Sequence, residues 1–216
     1  MNQYETIYEK IKDADLVLIG IGKELSQKKD IEQEQEKKER IHLFNQLYDV
    51  IGNKNYFLIT TNTDDCIYDS KFEADKIVAP CGSNFRWQCK AACCKDIWDK
   101  KIEKCPHCQG EVVQNIWKNQ PYVEEGYLKQ WSVYTRWLQQ TVNKKLVILE
   151  LGENFETPSV MRWPFEKITY INEKAYFVRV GEKFSQLTEE ISNKNRAVSI
   201  AMNSKVFIEN LKSIVK

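Results

Sequence analysis

The chain has 216 residues, 42% of them hydrophobic, and its 32 basic and 31 acidic side chains leave a formal charge of +1. That length and apolar content support one sizeable domain, or one domain with a small insert, without disulfide staples; the charge balance gives no support for a nucleic-acid or acidic-membrane partner. No apolar run approaches the ~18–20 residues that span a bilayer, and the polar N-terminus lacks the apolar segment of a secretory signal, so the expected location is cytoplasmic and the seven cysteines are expected to be reduced.

Residues 3–12 read as a short amphipathic helix. Leu16 to Ile19 form an apolar run that closes on Gly20-Ile21-Gly22, the pattern of a buried strand feeding a tight turn. The charged run 23–40 reads as a solvated helix or a mobile loop. Ile41, Phe44, Leu47, Tyr48 and Ile51 recur at helical spacing, with Asn53 as a stop. Tyr56 to Thr60 is a second buried strand, ending in the polar TTNTDD. A cysteine-rich segment covers 81–114. Tyr127, Leu128, Trp131, Tyr134 and Leu138 mark another helix, and LVILEL at 146–151 a third strand ended by Gly152. A short helix is expected over 159–167, a strand over 175–180, a helix around 182–192 and a short strand at 198–200. The last helix is expected to bury Val206, Phe207, Leu211 and Ile214.

Strands alternating with helices predict an α/β fold, a Rossmann-like, mainly parallel sheet with helices on both faces. The expected division is a main domain of 1–80 and 115–216 and a small zinc-ribbon-like module over 81–114. Ligands of such sheets bind outside the carboxyl ends of the strands, where GIGKELS, TTNTDD and LGENFETP fall.

Cys89 and Cys93, then Cys105 and Cys108, are two close pairs separated by eleven residues. That spacing fits a tetrahedral four-thiolate zinc site, each pair offering two thiolates on one knuckle. Four protein ligands leave no open position for water, so the expected role is structural. The other reading is free cysteines that pack; Cys94 in place of Cys93 and His107 are alternative ligands.

The glycine turn alone is a weak phosphate signal, although glycine lets a backbone approach a phosphate at a helix N-terminus. The order of the pieces says more. A Gly-x-Gly turn, a Thr-x-Asn-x-Asp strand end (Thr60, Asn62, Asp64), Cys81-Gly82-Ser83 before the cysteine pairs, and a Gly turn after an inner strand resemble a sirtuin. CGSNFRWQCKAAC, CPHCQGE and LELGENFETPSVMRWPFE resemble the macrodomain-linked class M sirtuins.

The resemblance implies NAD as cosubstrate, a structural zinc, and transfer of ADP-ribose from NAD to a protein acceptor, with a carrier protein or a macrodomain partner as candidates. It places the cofactor over Gly20, Gly22, Asn62, Asp64, Gly152 and Asn154. Its candidate catalytic residues are Asn62 to orient the ribose or nucleophile, Asp64 to accept from the nicotinamide amide, and Cys81 where a sirtuin carries its general-base histidine. Cys81 has two readings, a thiolate nucleophile, which needs a lowered pKa, or a small packing residue. Arg86 is the only basic partner the sequence offers it.

Four departures stand out. The family's Pro-Asp-Phe-Arg segment has no counterpart, the late-strand Asn falls near Gly181, Thr61 stands where the family's Thr-Gln-Asn motif has Gln, and Glu24 stands where the glycine turn has a small residue. An acidic side chain there must point away from a pyrophosphate. The alternative functions are a degenerate NAD- or ADP-ribose-binding module, and a deacylase or NAD glycohydrolase.

Overall fold

The computed structural model describes residues 2–27, 34–193 and 195–215. Part of the charged run, residues 28–33, lies outside them. In chain order the elements are α1 (Gln3–Asp13), β1 (Leu16–Ile21), α2 (Glu34–Ile51), β2 (Asn55–Thr60), β3 (Ile77–Val78), β4 (Gly82–Cys89), β5 (Ile97–Trp98), β6 (Val112–Ile116), α3 (Glu125–Gln139), β7 (Leu146–Leu151), α4 (Arg162–Ile171), β8 (Tyr176–Val180), α5 (Glu189–Ser192), β9 (Ala197–Ile200) and α6 (Ser204–Ile214).

Six strands pair in the order β3-β2-β1-β7-β8-β9, parallel throughout. The apolar runs explain why: a strand covered on both faces has no polar side to show. Alternate residues serve opposite layers. Val17, Ile19 and Ile21 pack with Ile7, Phe44, Leu47 and Phe207 of α1, α2 and α6. Leu16 and Leu18 pack with Tyr134, Trp137 and Phe165 of α3 and α4. The chain moves outward from β1 to β2 and β3, then returns to place β7 on the other side of β1. The carboxyl ends of β1 and β7 therefore flank the switch in strand order, where such folds open a ligand crevice.

A second sheet, β5-β4-β6, is antiparallel and carries the cysteines. It is tied back through buried Gln88, whose Oε1 accepts from Asn115 Nδ2 (2.7 Å) and Val123 N (2.9 Å) and whose Nε2 donates to Pro121 O (2.7 Å).

Several elements differ from expectation. The helix expected around 182–192 contracts to Glu189–Ser192. Residues 181–188 run irregularly because their carbonyls are taken elsewhere: Arg162 donates to Phe184 O, Arg179 to Gln186 O, and Ser199 Oγ to Ser185 O. The helix expected over 159–167 spans Arg162–Ile171, so Pro164 falls in its first turn, where a missing N–H costs no hydrogen bond. Helix α2 starts at Glu34, so the charged run is helical from there, while residues 23–25 form a single 3-10 turn. In α6, Ile208 is buried and Val206 is exposed.

No helix among the described residues is long and apolar enough to cross a membrane.

Candidate functional site

Three segments meet at the carboxyl edge of β1, β2 and β7: the turn after β1, residues 61–64 after β2, and residues 152–157 after β7. Gly152 adopts φ +70° and packs so closely on Glu24 that an added Cβ would lie 2.5 Å from the Glu24 Cβ. Gly22 lies against the backbone of Glu153, where a Cβ would come within 2.4 Å of its N and Cα. Gly20 sits inside β1 beneath Phe165 and Met161. Gly22 and Gly152 are thus demanded by packing at the edge, whereas Gly20 makes room for the side-chain ends of Phe165 and Met161. Gly22→Ala forces backbone against backbone and should cost about 1–3 kcal/mol, read as a fall in melting temperature of about 2–4 °C per kcal/mol. A melting temperature equal to wild type would show that the two turns do not hold each other this closely.

Asn62 is buried. Its N–H donates to Thr60 Oγ1 (3.1 Å), and its side-chain Oδ1 has no hydrogen-bond partner. Asp64 is fully engaged: Oδ2 accepts from Arg40 Nη1 (2.6 Å) and Gln27 N (2.8 Å), and Oδ1 from Cys66 N (3.1 Å). The carboxylate fastens the segment after β1 and helix α2 to the end of β2. Asn154 closes an Asx turn, its Oδ1 accepting from Glu156 N at 2.8 Å.

Cys81 is 1% exposed, and its Sγ lies 3.9 Å from Thr157 Oγ1. Burial pushes its thiol up to about 11, with Lys23 and Thr157 opposing and the Glu153 and Glu156 carboxylates adding to the rise. At neutral pH it is a protonated thiol, so the thiolate-nucleophile reading lacks its nucleophile. The basic group nearest it electrostatically is Lys23. Arg86, exposed on β4, instead donates to Gly126 O in the first turn of α3.

Sequence reading missed two residues. Lys23 turns inward and donates to Thr61 O. Glu153 is 3% exposed; its Oε2 accepts from Thr61 Oγ1 at 2.7 Å and its Oε1 has no partner. Burial pushes its carboxyl up to about 7, with the Thr61 hydroxyl opposing. Glu153 follows Gly152 directly in the LGEN turn, but nothing local shows that it points inward.

Outside this cluster lies a cleft of about 320 Å³ lined by Lys23, Glu24, Gly152, Asn154, Phe184 and Asn203, among others. Glu24 turns across it. Its Oε2 accepts from Ser204 N (3.1 Å) and Ser204 Oγ (2.8 Å), and its Oε1 from Glu182 N (2.6 Å). A carboxylate thereby satisfies the N-terminus of α6.

In the small sheet, the thiols of Cys89, Cys93, Cys105 and Cys108 all lie within 4.8 Å of one another. Cys89 and Cys108 are 3.6 Å apart, and Cys93 and Cys105 3.5 Å. Sulfurs bound tetrahedrally at about 2.3 Å have a spacing close to this, so the four can hold a zinc ion. The N–H groups of Cys108 and His107 draw the Cys105 thiol down to about 6. Cys94 belongs to a neighbouring group with Asp96 and His107, whose Nε2 is 2.7 Å from Asp96 Oδ2. His42 is exposed on α2, beside Gln46.

No protein-family model matches the chain. It is 22% identical over 169 residues, 68% of this chain and 54% of the other, to a "Protein ADP-ribosyltransferase" of Staphylococcus aureus (strain Mu50 / ATCC 700699). It is 37% identical over 87 residues, 38% of this chain and 14% of the other, to a "Probable bifunctional ADP-ribose hydrolase/ADP-ribosyltransferase" of Fusarium oxysporum f. sp. cubense. The chain thus spans about half of the first relative and a small part of the second. Among solved structures, a Sir2 homologue mutant in complex with ADP-ribose superimposes with a TM-score of 0.59 at 13% identity, covering 99% of this chain and 96% of that one. A further Sir2 homologue mutant, with 2′-O-acetyl ADP-ribose, gives 0.60 at 10% identity, covering 100% and 96%. The parallel sheet, its switch point and the inserted cysteine module together make this a sirtuin-like fold.

Proposed function

We propose that the chain binds NAD at the carboxyl edge of its sheet and transfers ADP-ribose to a protein acceptor, in the manner of the class M sirtuins it resembles. The observation that carries this is the pair of buried, unpartnered acceptors, Asn62 Oδ1 and Glu153 Oε1, beside the Lys23 ammonium at the switch point. Buried acceptors without donors are rare in native proteins and mark functional sites. Ribose hydroxyls are donors of the kind they lack, and Lys23 offers a phosphate its countercharge. The names of the two relatives and the Sir2-like fold support the same reading.

A second reading has its own observation. Glu24 holds the α6 N-terminus with a carboxylate, and Asp64 is committed to Arg40. Such a site suits a module that binds ADP-ribose without turning NAD over.

Incubation with NAD labelled in the ADP-ribose moiety separates the two. Transfer puts label on protein, hydrolysis releases free ADP-ribose, and a binding module shows only a raised melting temperature. Asn62→Ala should lower turnover by about 100-fold or more, if its side chain contacts the reacting ribose. Cys81→Ser should stay within a few-fold of wild type. Neither consumption of NAD nor a thermal shift with NAD or ADP-ribose would remove both readings.

A further inference from the structure

Four candidate proton acceptors, Asp64, Glu24, Cys81 and Glu153, lie around the carboxyl edge of β1, β2 and β7, where a sirtuin would need one. Asp64 gives both oxygens to Arg40 and backbone N–H groups. Glu24 gives both of its own to Ser204 and Glu182. Cys81 keeps its proton at neutral pH. Glu153 alone among these retains a carboxylate oxygen without a partner, and it is 3% exposed.

The position of Glu153 is built. Its backbone is clamped against Gly22, and the Thr61 hydroxyl holds Oε2 at 2.7 Å, which leaves Oε1 as the open acceptor. Thr61 is itself held through its carbonyl by Lys23, and the next residue is Asn62, with the other unpartnered acceptor. A buried carboxyl with one oxygen left without a donor is costly unless a ligand or a proton completes it.

We propose that Glu153 is the acid–base group of this cleft, acting where the family's histidine is missing. The inference rests on the transferase reading above. The glycosidic C1′–N bond of the nicotinamide ribose breaks, and its electron pair leaves with nicotinamide. C1′ gains a bond to the oxygen of an acceptor hydroxyl, whose proton passes to the ionised Glu153 carboxylate and then to solvent.

The groups that face its carboxyl come from every neighbouring segment: Lys23 after β1, Thr61 after β2, Cys81 before β4, Glu150 on β7 and Arg162 on α4. Glu150 and burial favour the protonated form, while Lys23, Arg162 and the Thr61 hydroxyl favour the ionised one. The balance places its ionisation near neutrality, where an acid–base group works best.

The test uses the full chain and Glu153→Gln. Wild type should consume NAD with a rate that rises through about pH 7. The variant should lose about 100-fold or more in kcat/KM together with that pH limb, while ADP-ribose should still raise its melting temperature, at a higher ligand concentration than in wild type, because glutamine keeps an acceptor oxygen. A second readout needs no turnover. The folded carboxyl ionises above its unfolded value of 4.5, so the unfolded chain releases this proton first as pH rises. The melting temperature of wild type relative to Glu153→Gln should therefore fall between about pH 5 and 7. Parallel melting curves, or an unchanged rate and pH profile in an NAD-consuming protein, would overturn the role of Glu153 and leave the transferase reading standing. A wild type that consumes no NAD overturns that reading, and the proton transfer with it. Should Glu153→Gln not fold, Glu153→Asp serves: a displaced pH limb and reduced rate support the role, and an unchanged rate opposes it.

Discussion

Glu150→Ala is expected to lower stability by about 3–5 kcal/mol, because it removes the carboxylate that two buried guanidinium groups, Arg162 and Arg179, share. Glu150 lies on β7, inside the sheet. Arg179 on β8 grips it with two parallel hydrogen bonds, Nε to Oε1 at 2.7 Å and Nη2 to Oε2 at 2.9 Å. Arg162 reaches the same carboxylate at 3.3 Å, and Arg179 also meets Glu166 at 2.5 Å. Side chains of Glu150 and Arg179 are 1% exposed and that of Arg162 is 4%. Burial pushes the Glu150 carboxyl up, and the Arg179 guanidinium pulls it back. At about 2–4 °C per kcal/mol, the melting temperature should fall by roughly 10 °C. Removing the carboxylate together with both guanidinium groups, as in Glu150→Gln with Arg162→Met and Arg179→Met, should cost less than the sum of the three single changes, because the three groups share one network. A single variant within 1 kcal/mol of wild type would mean that water reaches these guanidinium groups. The network also reaches the cleft. Arg162 and Arg179 hold the carbonyls of Phe184 and Gln186, which fixes the irregular 181–188 segment at the edge of the cleft. Glu150→Ala should therefore weaken ligand binding as well.

That segment shows where sequence reading stops. Five strands of the main sheet, β1, β2, β7, β8 and β9, were legible as short runs closed by a turn, and the helices because one face repeats; the two-residue β3 and the strands of the small sheet were not. Both signals are local. The cysteine spacing was legible for the same reason: two close pairs define two knuckles, and the four thiols do converge. Residues 182–192 carried a helix-compatible pattern, but partners on α4, β8 and β9 claimed the carbonyls of 184–186. A charge inside each of two apolar strands, Glu150 in LVILEL and Arg179 in AYFVRV, was the available hint of a buried pair. Glu153 and Lys23 gave no comparable hint. Both stand in polar turns, where a charged side chain is ordinary, and only the parallel pairing of β1 with β2 and β7 turns them toward Thr61. Glu24 was legible as a departure from the glycine turn, but its partner Ser204 lies 180 residues away.

Removing metal should melt the small sheet and leave the six-stranded sheet folded. The reason is the size of the module's core. Its fully buried members are Cys89, Cys105 and Val112, with Trp87, Cys94, Trp98 and Ile102 packed partly against them. Strand β5 has only two residues. So small a core cannot offset the entropy of ordering the segment, whereas a structural zinc contributes on the order of 10–16 kcal/mol of apparent binding energy at pH 7. The purified protein should carry one zinc ion per chain, and a strong chelator should strip hydrogen-exchange protection from the β4–β6 ladder while the β1–β7 ladder keeps its own. Cys89→Ser and Cys105→Ser, the buried ligands, should each lose metal at chelator concentrations that wild type withstands; Cys94→Ser should not. Retained protection in metal-free protein would show that the cysteines only pack. The effect should extend to the cleft, because β4 begins one residue after Cys81. Trp117 N donates to Cys81 O at 3.0 Å, and Ser83 Oγ donates to Asp65, next to Asp64. The folded module is thus one wall of the site, and ADP-ribose binding should weaken in step with loss of the metal.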